Sequence, residues 1–275
     1  MCACQKVRLP DFHGKGLAPV QLANSTILDL PIYYLYLLIP AVLPMIQYAL
    51  YQADVPEALR SQVVIMASHY ATDLAMDRCP TDHPHYGMTQ ALLSIEVDAY
   101  VDAIGYTGMN GELLVAYDEV NWPGSLLGFL LYMPLSGTTG RCGVNYGAVH
   151  EDFRRKGIFT GLMLRMLARY PGASLSCFVE SVPLYEHLGF KIELARDTQV
   201  QMTTETSPDE EATMPVIDIS GCGSHPAVLK ARGEALRHFG LPAVEEALIQ
   251  REQHLNAMRH QVASFVATRL SGATL

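Results

Sequence analysis

Three cations in a row, Arg154, Arg155 and Lys156, stand just before Gly157 in "VHEDFRRKGIFTGLM" (149–163). They lie between a strand-like run, "GVNYGAVH" (143–150), and a helix whose stripe of Phe159, Leu162, Met163, Met166 and Leu167 repeats at helical spacing. The start of a helix carries the positive pole of its dipole and four N–H groups without intrahelical partners, so cations are unfavourable there. An anion among them reverses that sign. Strand, basic turn and helix start together make a grip for one, with N–H groups aimed at a single place. A polyphosphate suits three positive charges, and Gly157 permits close backbone approach or a φ that other residues avoid. A plain solvated basic turn has the same composition, so the motif alone leaves both readings open.

The surrounding elements narrow the choice. "GELLVAYDE" (111–119), "GSLLGFLLYMPL" (124–135) and "GVNYGAVH" read as three strands in a meander, separated by the turns "VNWPG" and "SGTTGR". After the helix that begins near Gly157 come a buried strand "LSCFV" (175–179), a short helix "SVPLYEHLG" (181–189) and further strand over 190–204. Upstream, "ADVPEAL" signals a helix start, with Asp54 as cap, Pro56 in the first turn and Glu57 placed for a capping box, running to about Met76. Residues 1 to about 85 read as mostly helical. The acidic stretch "TTETSPDEEATMP" (203–215) reads as a solvated linker. Beyond it, one helix opens at Ser224 and Pro226 and stops at Gly240, and a longer one opens at Pro242. The second has an apolar face of Val244, Leu248, Leu255, Met258, Val262, Phe265 and Val266, suited to packing on its own domain or to a homodimer contact.

Two motifs in this order resemble the GNAT superfamily of acyl-CoA-dependent N-acyltransferases. The first is Val149 followed by Arg154, Gly157 and Phe159, on the pattern Arg/Gln-x-x-Gly-x-Gly/Ala at a helix start. The second is "SVPLYEHLGF" (181–190), with Tyr185, Gly189 and Phe190. Phe159 departs from the small residue usual at its place, and Glu151 stands where the family often has proline. The resemblance covers about residues 111–203. It implies an α/β fold (an α+β mixed sheet) with a splayed central sheet flanked by helices, here with extra helical N- and C-terminal segments. On that basis the domains are 1–205, GNAT-like, and 216–275, a C-terminal helical segment.

The resemblance also implies a chemistry. The pantetheine arm of acetyl-CoA would enter beside the fourth strand, pairing with main-chain groups around Val149 that help polarise the thioester carbonyl. The N–H groups of residues 155–160, thus including Ile158, Phe159 and Thr160, would hold the pyrophosphate, with Arg154, Arg155 and Lys156 adding charge. Tyr185 would be the general acid that protonates the leaving thiolate. Some relatives carry a glutamate base on the fourth strand, where this chain has Gly143; Asp118, Glu119, His150 or a water relay are the substitutes. The acceptor would be an amine on a small molecule or a protein. A catalytically inert acyl-CoA sensor or protein-binding module is the alternative.

Composition limits the rest. Apolar residues at 49% and charged ones at 17% argue for a packed core, and a net charge of −9 gives no attraction to nucleic acid. Six scattered cysteines suit a reducing, cytoplasmic setting. Neither Cys2/Cys4 nor Cys79, His83 and His85 in "CPTDHPHYG" has the spacing of a zinc site, so no metal is expected. The uncharged run 30–51 is long enough to span a bilayer, but Pro31, Pro40, Pro44 and five tyrosines favour a buried helical hairpin or a partner surface over a membrane span.

Overall fold

The computed structural model of the chain describes residues 46–106, 110–205, 214 and 216–272, and its framework is a seven-stranded mixed sheet. In chain order the elements are β1 (Gln47–Tyr51), α1 (Glu57–His69), α2 (Ala71–Leu74), α3 (Tyr86–Asp102), β2 (Glu112–Asp118), β3 (Trp122–Pro134), β4 (Arg141–Val149), α4 (Ile158–Arg169), β5 (Gly172–Cys177), α5 (Val182–His187), β6 (Lys191–Arg196), β7 (Gln199–Thr203), α6 (Pro226–Phe239) and α7 (Leu241–Ser271). The strands lie in the order β1-β2-β3-β4-β5-β7-β6. Both faces are covered, which is why the central strands read as nearly unbroken apolar runs. Leu114, Ala116, Leu130 and Tyr132 meet Ile158, Leu162, Met163 and Met166 of α4 on one face. Leu113, Val115, Phe129 and Leu131 meet Val63, Val97 and Tyr100 of α1 and α3 on the other.

Several local expectations need correction. The last residues of the apolar run 30–51 form β1 rather than a helix, pairing antiparallel with β2 from Gln47↔Tyr117 to Tyr51↔Leu113. Tyr48 and Leu50 pack into the α4-side core while Ala49 and Tyr51 pack into the α3-side core, a period of two concealed in an all-apolar run. Residues 30–45 lie outside the described residues. Asp54 does not cap α1: it sits at φ 49°, Pro56 takes the cap position, and no side chain caps the helix. That helix stops at His69, and Tyr70, at φ −98° and ψ 29°, turns the chain into α2. The strand expected over 190–204 is a hairpin, β6 and β7, turned at Asp197 (φ 52°). The acidic linker is pinned at its described ends, since Glu205 pairs with Arg141 and Met214 lies over Gly143.

α3 carries no cap signal and is apolar around much of its circumference, so its buried stripe of Thr89, Leu93, Val97 and Tyr100 stands out little in the sequence. α6 packs on α3, and α7 lies along β6 and β7 with Val262 and Val266 in the sheet's core. The buried line of α7 is Val244, Ala247, Leu255, Met258, Val262 and Val266, with Ala247 in place of the expected Leu248, which is exposed. Arg251 reaches from α7 to Asp77 (2.9 Å), Arg259 to Asp197 and Arg269 to Glu186. Among the described residues no helix is long and apolar enough to cross a membrane.

One carboxylate ties the base of α4 to the sheet. Glu112 is 3% exposed and accepts hydrogen bonds from Tyr132 Oη, Tyr170 Oη and Gln52 Nε2, each at 2.7 Å, and from Arg169 at 3.3 Å. Burial pushes its pKa up, but these four donors outweigh burial and hold it below the ordinary 4.5. A depressed folded pKa stabilises above the unfolded value and is lost as pH falls through the folded one. Glu112→Ala, which strands two phenolic hydroxyls, is therefore expected to cost about 2–4 kcal/mol in urea unfolding at pH 7. Glu112→Gln is expected to flatten the loss of stability of the wild-type protein below pH 4.5.

Candidate active site

β4 and β5 run parallel and pair only from Arg141↔Gly172 to Gly143↔Ser174. Beyond that point β4 stays with β3 and β5 with β7, so the sheet parts. A bulge at Asn145 marks the departure: Tyr132 faces Val144 while its neighbour Leu131 faces Tyr146. Such a bulge bends and twists its strand. The opening between the strands is a cleft of about 930 Å³.

The main chain of β4 faces into this cleft. His150 N–H donates to Leu127 O at 2.9 Å, and Val149 stands opposite Gly128. Alternation in an antiparallel ladder then turns the N–H and C=O of Val149 and Gly147 away from β3, toward the cleft. Arg154 Nε already donates to Val149 O at 3.2 Å. At the cleft's rim the chain passes through Arg155 at φ 62° and Gly157 at φ 77° before α4 begins. No side chain caps α4, and its first helical bond is Gly161 N–H to Gly157 O at 2.8 Å. The N–H groups of Ile158, Phe159 and Thr160 therefore have no intrahelical partner. A Cβ on Gly157 would touch nothing, so what glycine supplies there is the left-handed backbone rather than close approach.

Of the residues singled out by sequence, Val149, Arg154, Arg155, Gly157, Ile158, Phe159, Thr160 and Tyr185 line this one cleft. Lys156 does not line it, and its Nζ lies 4.8 Å above the Phe153 ring. Arg154 is held over the Tyr70 ring at 4.4 Å and 3.6 Å from Asp73, while Tyr70 Oη accepts from Glu151 N–H at 2.7 Å, so α1 and α2 fix the basic turn. Tyr185 makes edge contacts with Phe159 (6.1 Å) and Phe190 (6.0 Å), and burial, then Cys177 nearby, raises its pKa, which keeps the phenol protonated at neutral pH.

None of the expected bases faces the cleft. Asp118 is taken up by its own turn, accepting from Asn121 Nδ2 (2.7 Å), Asn121 N–H (2.9 Å) and Val120 N–H (3.1 Å), which hold it below the usual carboxylate range. Glu119 accepts from Gly124 N–H in the same hairpin, and His150 Nδ1 accepts from Asp152 N–H at 3.3 Å. At Gly143 a Cβ would lie 2.3 Å from Met214 Sδ, so the space for a side chain there is filled. Carboxylates that do line the cleft are Asp73, Glu96, Glu193 and Glu205; Asp73 lies 3.6 Å from Arg154 and Glu205 pairs with Arg141, while Glu96 of α3 was missed because α3 itself was not foreseen. A signal existed, since Glu96 lies between Leu93, Val97 and Tyr100 on the buried stripe of its helix.

Residues 109–192 match the family model described as an acetyltransferase (GNAT) domain, a span from just before β2 into β6. This stretch is similar to GNAT domains. Solved structures similar to the chain include an acyl-CoA N-acyltransferase from Pseudomonas aeruginosa, at 16% identity over 58% of this chain and 99% of that one, with a TM-score of 0.42. Another is the paiA N-acetyltransferase from Thermoplasma acidophilum in complex with coenzyme A, at 10% identity, 58% and 99% coverage and a TM-score of 0.43. A third is a GNAT family acetyltransferase from Brucella melitensis in complex with acetyl-CoA, at 19%, 62% and 94%, with 0.37. No curated protein matches the chain.

Phe159, the large residue in the GNAT motif, has a local explanation. Its ring lies against β4 at Gly147, where an added Cβ would come within 3.0 Å of Phe159 Cε2 and 2.9 Å of Leu130 Cδ1. Bulk on the helix is thus matched by its absence on the strand. Gly147→Ala is expected to destabilise the domain by about 1–3 kcal/mol through overpacking. Adding Phe159→Leu to that variant is expected to recover part of the loss, measured as the coupling energy of a double-mutant cycle in thermal unfolding.

Proposed function

We propose that the chain is an acyl-CoA-dependent N-acyltransferase that moves an acetyl group from acetyl-CoA to a primary amine by direct attack. The observation that carries this reading is the convergence in one cleft of two kinds of backbone group outside the regular ladders. N–H groups without intrahelical partners at the start of α4 suit a pyrophosphate, and the outward edge of β4 at Gly147 and Val149, where Val149 O is reached by Arg154, suits an amide-bearing arm. Arg155 beside the turn adds positive charge. Tyr185, protonated, half-buried and lining the same cleft, gives its proton to the sulfur as the thioester C–S bond breaks; its raised pKa supports this role. The amine nitrogen forms the new bond to the acyl carbon and sheds a proton. No metal enters this scheme.

A second reading, a GNAT-like module that binds acyl-CoA without turnover, is favoured by one observation: Gly143, covered by Met214, leaves no side chain where some relatives carry a glutamate base. Turnover of any amine removes it.

Calorimetry with acetyl-CoA tests the common part of both readings. Binding is expected for the wild-type protein, and Gly157→Glu, which forces a side chain and a negative charge into the left-handed rim position, is expected to weaken it at least about tenfold. Absence of binding to the intact wild-type protein overturns the proposal. Tyr185→Phe is expected to lower kcat by about 10²- to 10⁴-fold with little change in acetyl-CoA affinity. An unchanged kcat across pH removes Tyr185 as the acid and leaves the binding site standing.

A further inference from the structure

The bulge at Asn145 has a second effect, on the face of the sheet away from α4. Val144 packs into the α4-side core, whereas Tyr146 packs into the α3-side core. Without the bulge these two residues would share a face. The extra residue brings Asn145 and Tyr146 together toward α3, where Glu96 and Tyr100 meet them along the wall of the cleft. Tyr100 and Tyr146 have ring centroids 6.4 Å apart. Tyr100 Oη accepts from Ile217 N–H at 3.1 Å and is approached by the Asn145 side chain.

Within this group one atom has no partner among the described residues. Asn145 Oδ1 is buried and accepts no hydrogen bond. A buried acceptor in that condition costs on the order of 1–3 kcal/mol unless a donor reaches it. Burial raises the pKa of Glu96, and the neighbouring Tyr146 hydroxyl lowers it in part; among the described residues no cation acts on it. The titratable groups facing it are Tyr146 from β4 and Tyr100 from its own helix. The atoms left to a visitor here are a carboxylate oxygen and an amide oxygen, so the complementary visitor carries N–H donors and positive charge. Arg154 and Arg155 thus stand at the α4 rim of the cleft, Arg141 is paired with Glu205, and Glu96 lies at the α3 wall.

Resting on the acyltransferase reading, we propose that Glu96, Asn145 and Tyr146 form the receiving pocket for a primary amine that arrives as its ammonium ion, and that Glu96 removes its proton. The ammonium N–H bond breaks toward a Glu96 carboxylate oxygen, and its electron pair stays on nitrogen as the nucleophilic lone pair. The new carboxyl group then passes the proton to solvent. Asn145 Oδ1 accepts a second N–H and orients the nitrogen. Tyr146 holds the carboxylate in place from the opposite side. The acceptor class is thus an aliphatic amine that is charged at neutral pH, in preference to an aromatic amine that is not.

The test uses the full chain with acetyl-CoA and two amines of similar size, benzylamine (cationic at pH 7) and aniline (neutral). Wild-type protein is expected to acetylate benzylamine with an acid limb in kcat/KM set by Glu96. Glu96→Gln is expected to lower kcat/KM for benzylamine about 100-fold at pH 7 and to move the acid limb up toward the pKa of the amine, with aniline changed less than about threefold. Asn145→Ala is expected to raise KM for benzylamine about tenfold while kcat stays within about twofold. Equal losses with both amines in Glu96→Gln, an unmoved acid limb, or an unchanged KM in a folded Asn145→Ala protein would overturn the proposal. A wild-type protein that binds acetyl-CoA in the calorimeter but acetylates neither amine overturns the pocket alone. Failure to bind acetyl-CoA overturns the acyltransferase reading beneath it.

Discussion

A single extra residue in β4 organises much of this molecule. At Asn145 the strand gains one position relative to β3, and three things follow from that insertion. The strand bends away from β5 just past their last pair at Gly143 and Ser174, which opens the cleft. The residues after it change face, so that Tyr146 looks toward α3 and Gly147 toward Phe159. The alternating main-chain groups of Gly147 and Val149 then fall on the cleft side of β4. A regular ladder would have kept β4 and β5 paired, and the sheet would have presented a closed edge to any visitor.

How far the chain could be read from its residues follows from what kind of physics each feature uses. The basic turn and α4 were legible because they depend on local rules, a glycine at positive φ and an apolar stripe at helical spacing. The three-strand meander was legible because turns punctuate it. β1 was not, because a strand buried on both faces shows no alternation and its neighbour β2 lies some sixty residues away. The bulge was equally invisible, since only the register against β3 reveals it. That is why Asn145 and Tyr146 escaped notice although both lie inside a strand read correctly.

The ionisable side chains show the same division. Asp118, Glu119 and His150 were near the right strands in sequence, yet each is held by its own turn. Glu96 comes from a helix that precedes the sheet's centre and reaches the cleft only through tertiary packing. Its one local mark is a carboxylate within a buried stripe, a placement that is costly to maintain without a partner. Gly143 and Met214 show compensation of another sort, a methionine from beyond the acidic stretch filling room that the strand leaves empty. Gly147 and Phe159 repeat that exchange of volume across the cleft. Substitutions in such pairs are best understood two at a time.

Helix α7 is the longest element among the described residues. It is 31 residues long, roughly 45 Å at the usual rise. Its arginines touch down at three separated points: the loop after α2 through Asp77, the β6–β7 turn through Asp197, and α5 through Glu186. The Arg259 and Arg269 pairs are exposed and contribute little stability individually, whereas Asp77 is buried; Val262 and Val266, also buried, hold the helix to the sheet. The loop after α2 also reaches the β5–α5 side directly, through Arg78 to Glu180 at 2.9 Å and through Met76 O, which accepts from Thr198 Oγ1 at 2.8 Å. A rod that touches down on this loop, on the β6–β7 turn and on α5 joins three separate pieces of the cleft's surroundings to one stiff element.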